Sequence, residues 1–174
     1  MNQGYWDKAR AFHGHACPGL AIGVKVCEAA VEKLGVSPAF DEELICITEN
    51  DACGVDAIQA IMSCTLGKGN LIYRDTGKHA FTFIHRNTGK AMRFYFKGQH
   101  KGMERSAYQD YLLNAPVDEL FQCREVTIQA PEQARLFASL PCEVCGELAP
   151  EHKIRFQAGK KVCLDCFKEY QRGW

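Results

Sequence analysis

No stretch of the 174-residue chain approaches the roughly 18 consecutive apolar residues that a membrane-spanning helix needs. The opening segment MNQGYWDKARAF also lacks an apolar core of signal-peptide length, so neither membrane anchoring nor export is expected. Net charge is missing too: 21 Lys and Arg stand against 21 Asp and Glu. A nucleic-acid partner is not expected, because bases and acids also nearly balance within the C-terminal cysteine-rich segment. There is no internal repeat, no low-complexity tract and no C-x-x-C-x-x-C run of the kind that holds a ferredoxin-like cluster. Gly67-Lys68-Gly69-Asn70 does not make a nucleotide-binding loop. It follows a predicted helix instead of preceding one, and no Ser or Thr comes after the Lys.

Cysteine is abundant. Ten cysteines without an export signal predict a reducing, cytoplasmic setting, where thiols hold metal or do redox chemistry rather than form structural disulfides. With 47% hydrophobic and 24% charged residues, the chain is expected to fold as one ordinary domain with a small appendage. The neutral total hides an asymmetry. Through residue 66, nine acids face four bases. From Lys68 to Arg105, nine bases (Lys68, Arg74, Lys78, Arg86, Lys90, Arg93, Lys97, Lys101 and Arg105) oppose Asp75 and Glu104. Such a segment suits an anionic ligand or an acidic partner, or forms solvated strand faces.

A first long helix is predicted from Pro18, favoured at the first helical position because its missing N–H costs nothing there. Leu20, Val24, Cys27, Val31 and Leu34 then recur at helical spacing up to a stop at Gly35. Gly19, Gly23 and Cys27 form a small-residue stripe suited to close packing by another element or by a second subunit. Strand Leu44–Glu49 and a helix over Gly54–Thr65 follow, then strands Leu71–Arg74, His79–His85 and Ala91–Phe96. The last two read as a hairpin with one buried side. A helix over Met103–Leu113, a short strand near Arg124–Ile128 and a short helix from Pro131 complete a main domain of residues 1–140. Leu140-Pro141 marks the boundary to a second domain of residues 141–174.

In that second domain Cys142, Cys145, Cys163 and Cys166 form two C-x-x-C pairs. Four thiolates at this spacing complete the tetrahedral shell that structural zinc prefers. Gly146 permits the tight turn of the first knuckle, and a terminal helix is expected from Cys166. The bases and acids of this segment nearly cancel, which argues against strong phosphate binding.

A second cluster lies near the N-terminus. Cys17 directly precedes Pro18 and so occupies a helix N-cap, and Cys53 stands at the mouth of the next helix. Free N–H groups and the helix dipole are expected to lower thiol pKa values there. His15 and Cys17 alternate as on one side of an extended segment. With Cys53 they make a three-ligand site for zinc or another divalent transition metal, with one position open, as in catalytic zinc sites. Cys17 and Cys53 are the candidate catalytic thiols. His13 and Cys64 are neighbours, Asp56 is a candidate either for holding a metal ligand in place or for capping the second helix, and Lys68 is a candidate anion anchor. Cys27, Cys46 and Cys123 read as small buried hydrophobes, and His79 and His85 as structural.

The ordered runs FHGHACPGL, CGVDAIQ and CTLGKGNL resemble the FmdE-like family, named for formylmethanofuran dehydrogenase, across roughly residues 8–130. The tail PCEVCGELAPEHKIRFQAGKKVCLDCF resembles a treble-clef zinc finger that some members append. The resemblance implies an α+β fold, broadly thioredoxin-like, with a mixed sheet flanked by helices. It also implies a His/Cys metal site mapping to His15, Cys17 and Cys53, and a homodimer. The functions it suggests are a catalytic or accessory component of anaerobic redox metabolism with a protein partner in a redox complex. The alternative is an interaction module that docks a partner through the finger.

Overall fold

Alternating β-branched and aromatic residues build a five-stranded sheet in the computed structural model of the chain, which describes residues 1–98 and 102–173. Lys101 of the basic segment lies outside the described residues. The first unit spans Met1–Gln133, and a second begins at Ala134. In chain order the first contains α1 (Gln3–His13), α2 (Pro18–Leu34), β1 (Leu44–Thr48), α3 (Gly54–Met62), β2 (Leu71–Tyr73), β3 (Ala80–His85), β4 (Ala91–Phe96), α4 (Arg105–Asn114), α5 (Val117–Leu120) and β5 (Phe121–Glu125). The strands lie in the order β2-β1-β3-β4-β5. β1 pairs parallel with β2, and every other pairing is antiparallel, so the sheet is mixed.

One sheet face carries Leu44, Cys46, Phe81, Phe83, Phe94 and Phe121, which join the buried faces of the helices in the main core. Phe81, Phe83 and Phe94 are fully inaccessible, and burial of each such ring stabilises by about 1.5–3 kcal/mol. The opposite face is divided. Ile45, Ile47, Ile84 and Ala91 form a small apolar cluster under Val126, Ile128 and Ala130. Arg86 ties this covering segment down by donating from Nη1 to the Pro131 carbonyl at 2.7 Å. The remainder of that face is polar. Strand β1 is therefore buried on both sides, although its sequence reads only as an alternating strand.

Three expected elements are corrected. The strand near Arg124–Ile128 lies earlier, as β5, and residues 126–130 cover the sheet instead of joining it. Among the described residues no helix starts at Pro131 or at Cys166; the large apolar residues of these segments, Leu136, Phe137 and Tyr170, stay exposed. The helix α1, conversely, has no counterpart among the expected elements. It buries little beyond Trp6 and Ala9, so its amphipathic signal is faint.

The second unit consists of two hairpins, β6 (Ser139–Pro141) with β7 (Leu148–Pro150) and β8 (Ile154–Gln157) with β9 (Lys160–Cys163). Leu140-Pro141 lies within β6. No helix among the described residues is long and apolar enough to cross a membrane.

Candidate metal centre

Three ligand-type side chains converge where α1, α2 and α3 meet. The Sγ atoms of Cys17 and Cys53 and a ring nitrogen of His13 all lie within 4.8 Å of one another. His13 Nε2 is 3.8 Å from Cys17 Sγ. Tetrahedral geometry with Zn–S near 2.3 Å and Zn–N near 2.0 Å places donor atoms about 3.5–3.8 Å apart. The donor set therefore fits a divalent transition metal with only small adjustment.

Local sequence sets each ligand. Gly14 ends α1 in the left-handed region (φ 87°), its N–H bonding to the Arg10 carbonyl at 2.9 Å. That turn, which glycine adopts without a Cβ penalty, leaves His13 on the helix facing α3. Cys17 caps α2 as anticipated, its sulfur accepting from Leu20 N at 3.3 Å. Cys53 precedes α3 in helical geometry (φ −48°, ψ −26°) and makes no side-chain cap bond. Burial and the neighbouring Cys17 thiol raise its pKa, which corrects the expected lowering. A helix start depresses a thiol pKa only where free N–H groups point at the sulfur.

The two cysteines meet because α2 and α3 cross at glycine. A Cβ on Gly23 would lie 2.3 Å from the Gly54 carbonyl oxygen and 2.8 Å from Ala57 Cβ. Farther along, Cys27 Sγ sits 3.9 Å from the Ala57 carbonyl. The small-residue stripe is thus an internal helix seam, and its closeness brings the two N-terminal ends side by side. Gly19 lines the same spot: a Cβ there would approach Cys53 Sγ at 3.6 Å and Cys17 Sγ at 3.9 Å. The space against both thiols is kept open by the absence of a side chain.

Asp56, one turn into α3, completes the arrangement. Its Oδ2 lies 2.6 Å from His13 Nδ1. A carboxylate only accepts, so Nδ1 donates, and Nε2 of the neutral ring presents its lone pair toward the thiols. This is the contact that holding a ligand in place requires of Asp56.

His15 is not in the cluster. It is exposed, its ring lying tilted against His13 with 4.4 Å between centroids. The structure brings His13 rather than His15 to the thiols, which corrects the expected ligand set. Gly14 ends the helix and breaks the extended alternation that would have paired His15 with Cys17. Cys64 is buried beyond the far end of α3, donating to the Leu44 carbonyl, and burial pushes its pKa up to about 12. Burial likewise raises Cys27 and Cys46, and Cys123 is half-buried. Lys68 points its ammonium at the Ala39 and Phe40 carbonyls, at 3.4 and 3.5 Å. Neighbouring Asn70 is wholly buried and donates to the Asp41, Leu44 and Ser63 carbonyls. The Gly-Lys-Gly-Asn loop is a structural stitch. His79 packs edge-on against Phe96, and burial lowers its pKa.

In the second unit, Cys142, Cys145, Cys163 and Cys166 bring all four sulfurs within 4.8 Å. Gly146 (φ 80°) closes the first knuckle by donating to the Cys142 carbonyl at 2.9 Å. Backbone N–H groups lower Cys142 to about 6, while its sulfur neighbours raise Cys166 to about 12. Four thiols this close cannot all ionise without a cation between them, so the cluster has the chemistry of a zinc site.

Two family models together match most of the chain. Residues 12–136 match the family model described as FmdE, molybdenum formylmethanofuran dehydrogenase operon. Residues 135–172 match the prokaryotic dksA/traR C4-type zinc finger. A protein of Archaeoglobus fulgidus described as a probable S-adenosyl-L-methionine-binding protein is 31% identical over 94% of this chain. The chain spans about half (52%) of that relative's length. A crystal structure of a tungsten formylmethanofuran dehydrogenase FmdE-like protein from Syntrophus aciditrophicus superposes with a TM-score of 0.71 at 24% identity. The match covers 94% of this chain and 90% of that one.

Proposed function

The chain belongs to the FmdE family, and on that premise we propose that it is a two-metal protein with distinct roles for its clusters. The four-cysteine finger is structural. The His13, Cys17 and Cys53 centre is reactive, and serves as a catalytic or accessory component of anaerobic redox metabolism. The observation that carries this reading is the three-donor geometry: one imidazole and two thiols converge, with Asp56 orienting the imidazole. His13, Cys17 and Cys53 would hold a divalent ion through three donors and leave room for an exogenous ligand, and such an ion would supply Lewis-acid chemistry there.

The chain's own residues have definable tasks. Asp56 holds the His13 tautomer and favours donation from Nε2. Gly19 leaves space against the thiols. His15, exposed and in ring contact with His13, is placed to exchange a proton with a bound ligand and with solvent.

Elemental analysis of protein purified without added metal tests the centre. Two metal ions per chain are expected, falling to one in Cys17→Ser, Cys53→Ser and His13→Ala but staying at two in His15→Ala. Cobalt substitution adds an independent readout: thiolate charge-transfer bands, with visible bands that shift when cyanide is added, indicate an accessible position. One metal per chain in the parent protein, unchanged by Cys17→Ser, would remove the centre.

A further inference from the structure

The polar half of the sheet face turned away from the helices carries a second, unrelated constellation. Strand register aligns Ile47, Thr82, Arg93 and Arg124 in one row, and Ala80, Tyr95 and Gln122 in the next. Alternation sends Phe81, Phe94 and Cys123 to the helix side, so the Thr82, Arg93 and Arg124 side chains share the other face. Glu49, just past β1, continues the Ile45 and Ile47 face. The β2–β3 connection brings Arg74 and Lys78 to the same place. Together these residues line an open cavity of about 590 Å³, with Val126, Thr127 and Ile128 also in its wall.

The charge there is one-sided. Arg74, Lys78, Arg93 and Arg124 face a single carboxylate, Glu49. That carboxylate is already engaged: it accepts from Arg93 Nε at 2.6 Å and from Thr76 Oγ1 at 2.9 Å. Both bonds hold its pKa below the usual carboxylate range. Glu49 thus orients Arg93 through Nε and leaves the two terminal guanidinium nitrogens without an acceptor among the described residues. Arg93 is mostly buried, its side chain 16% exposed, and it lies 5.9 Å from the Tyr95 ring centroid. A pre-oriented guanidinium that lines a cavity with three further cations, its one carboxylate partner held at Nε, has its terminal N–H donors left to offer an anion.

We propose that this cavity binds a small multiply charged oxyanion, a phosphate ester or a di- or tricarboxylate. Arg93 would bind the anionic group at the floor, with Arg74, Lys78 and Arg124 around the rim and Tyr95 and Ile128 beside the uncharged part. The volume lies in the range of metabolite sites. Four cations gathered around one cavity favour a compact ligand over a polymer, whose backbone would need a continuous basic track. The site is on the sheet face opposite the His13, Cys17 and Cys53 centre, and stands or falls independently of it.

The experiment is an amide ¹H–¹⁵N titration of the 174-residue, zinc-loaded chain at constant ionic strength. Fructose 1,6-bisphosphate and succinate are the phosphate and carboxylate probes, with a single-stranded oligonucleotide as polymer. Saturable shifts confined to Thr82, Arg93, Tyr95, Gln122 and Arg124 are expected with one of the two small probes, and the tighter isotherm names the anion class. Lys78→Gln and Arg124→Gln remove exposed cations without touching the core. Each should weaken binding about tenfold or more, the usual worth of a charge-assisted bond, whereas Lys90→Gln should leave it unchanged. Linear shifts with both small probes, shifts unchanged in Lys78→Gln and Arg124→Gln, or saturation by the oligonucleotide alone would each overturn the proposal.

Discussion

A single residue, Gly14, decides which histidine reaches the thiols. The motif His13-Gly14-His15-Ala16-Cys17 offers two imidazoles at short range, and spacing alone favours His15, two residues from Cys17. The positive φ at Gly14 ends α1 one residue earlier and keeps His13 on the helix. The Asp56 contact then selects its tautomer. Replacing Asp56 by Asn keeps the shape but substitutes an amide, which binds the ring N–H less strongly. Metal affinity at the N-terminal centre should fall about ten- to a hundredfold, as read by competition with a chromophoric chelator, while the finger site keeps its affinity. Equal affinity in Asp56→Asn would remove Asp56 from the centre. The cysteines were legible because both sit at helix starts that punctuation residues announce. His13 was less so, since α1 buries only Trp6 and Ala9 and leaves little periodic signal.

Helix against helix, the organising contact is the glycine crossing of α2 and α3. Helix α2 buries ten of its residues, including Lys25, whose ammonium is 2.8 Å from Glu28. A side chain at Gly23 has nowhere to go: the obstacle is the Gly54 backbone, not a flexible side-chain tip. Gly23→Ala should therefore lower unfolding free energy by about 1–3 kcal/mol, the range for an overpacked core, measured by chemical denaturation. It should also weaken metal binding at Cys17 and Cys53, because the two helix ends separate. Gly67→Ala, with no atom within 4 Å of the added Cβ, is the control. Wild-type stability in Gly23→Ala would show that the seam is looser than described. The stripe itself was visible in the sequence; that its partner is Gly54 was not, because helical spacing shows which face is small but not what lies against it.

The two units are built on different physics. The first buries phenylalanines on both strands of its central hairpin, and its core needs no ion. Among the described residues of the second, only Cys142 and Val162 are buried, so metal ligation replaces a hydrophobic core. Chelation should accordingly unfold the second unit while β3 and β4 keep their protection from hydrogen exchange. Loss of protection throughout the first unit would contradict this division. The four finger cysteines, the capped start of α2, the aromatic hairpin and the family resemblance all follow from residues close together in the chain. Ligand spacing, caps and alternation are local rules, written within a few residues. The choice of His13 over His15, the meeting of α2 and α3, the burial of β1 on both faces and the gathering of Arg74, Arg93 and Arg124 around one cavity follow from the tertiary structure alone. Each depends on which distant segment packs against which face, and the chain's periodicity leaves that open.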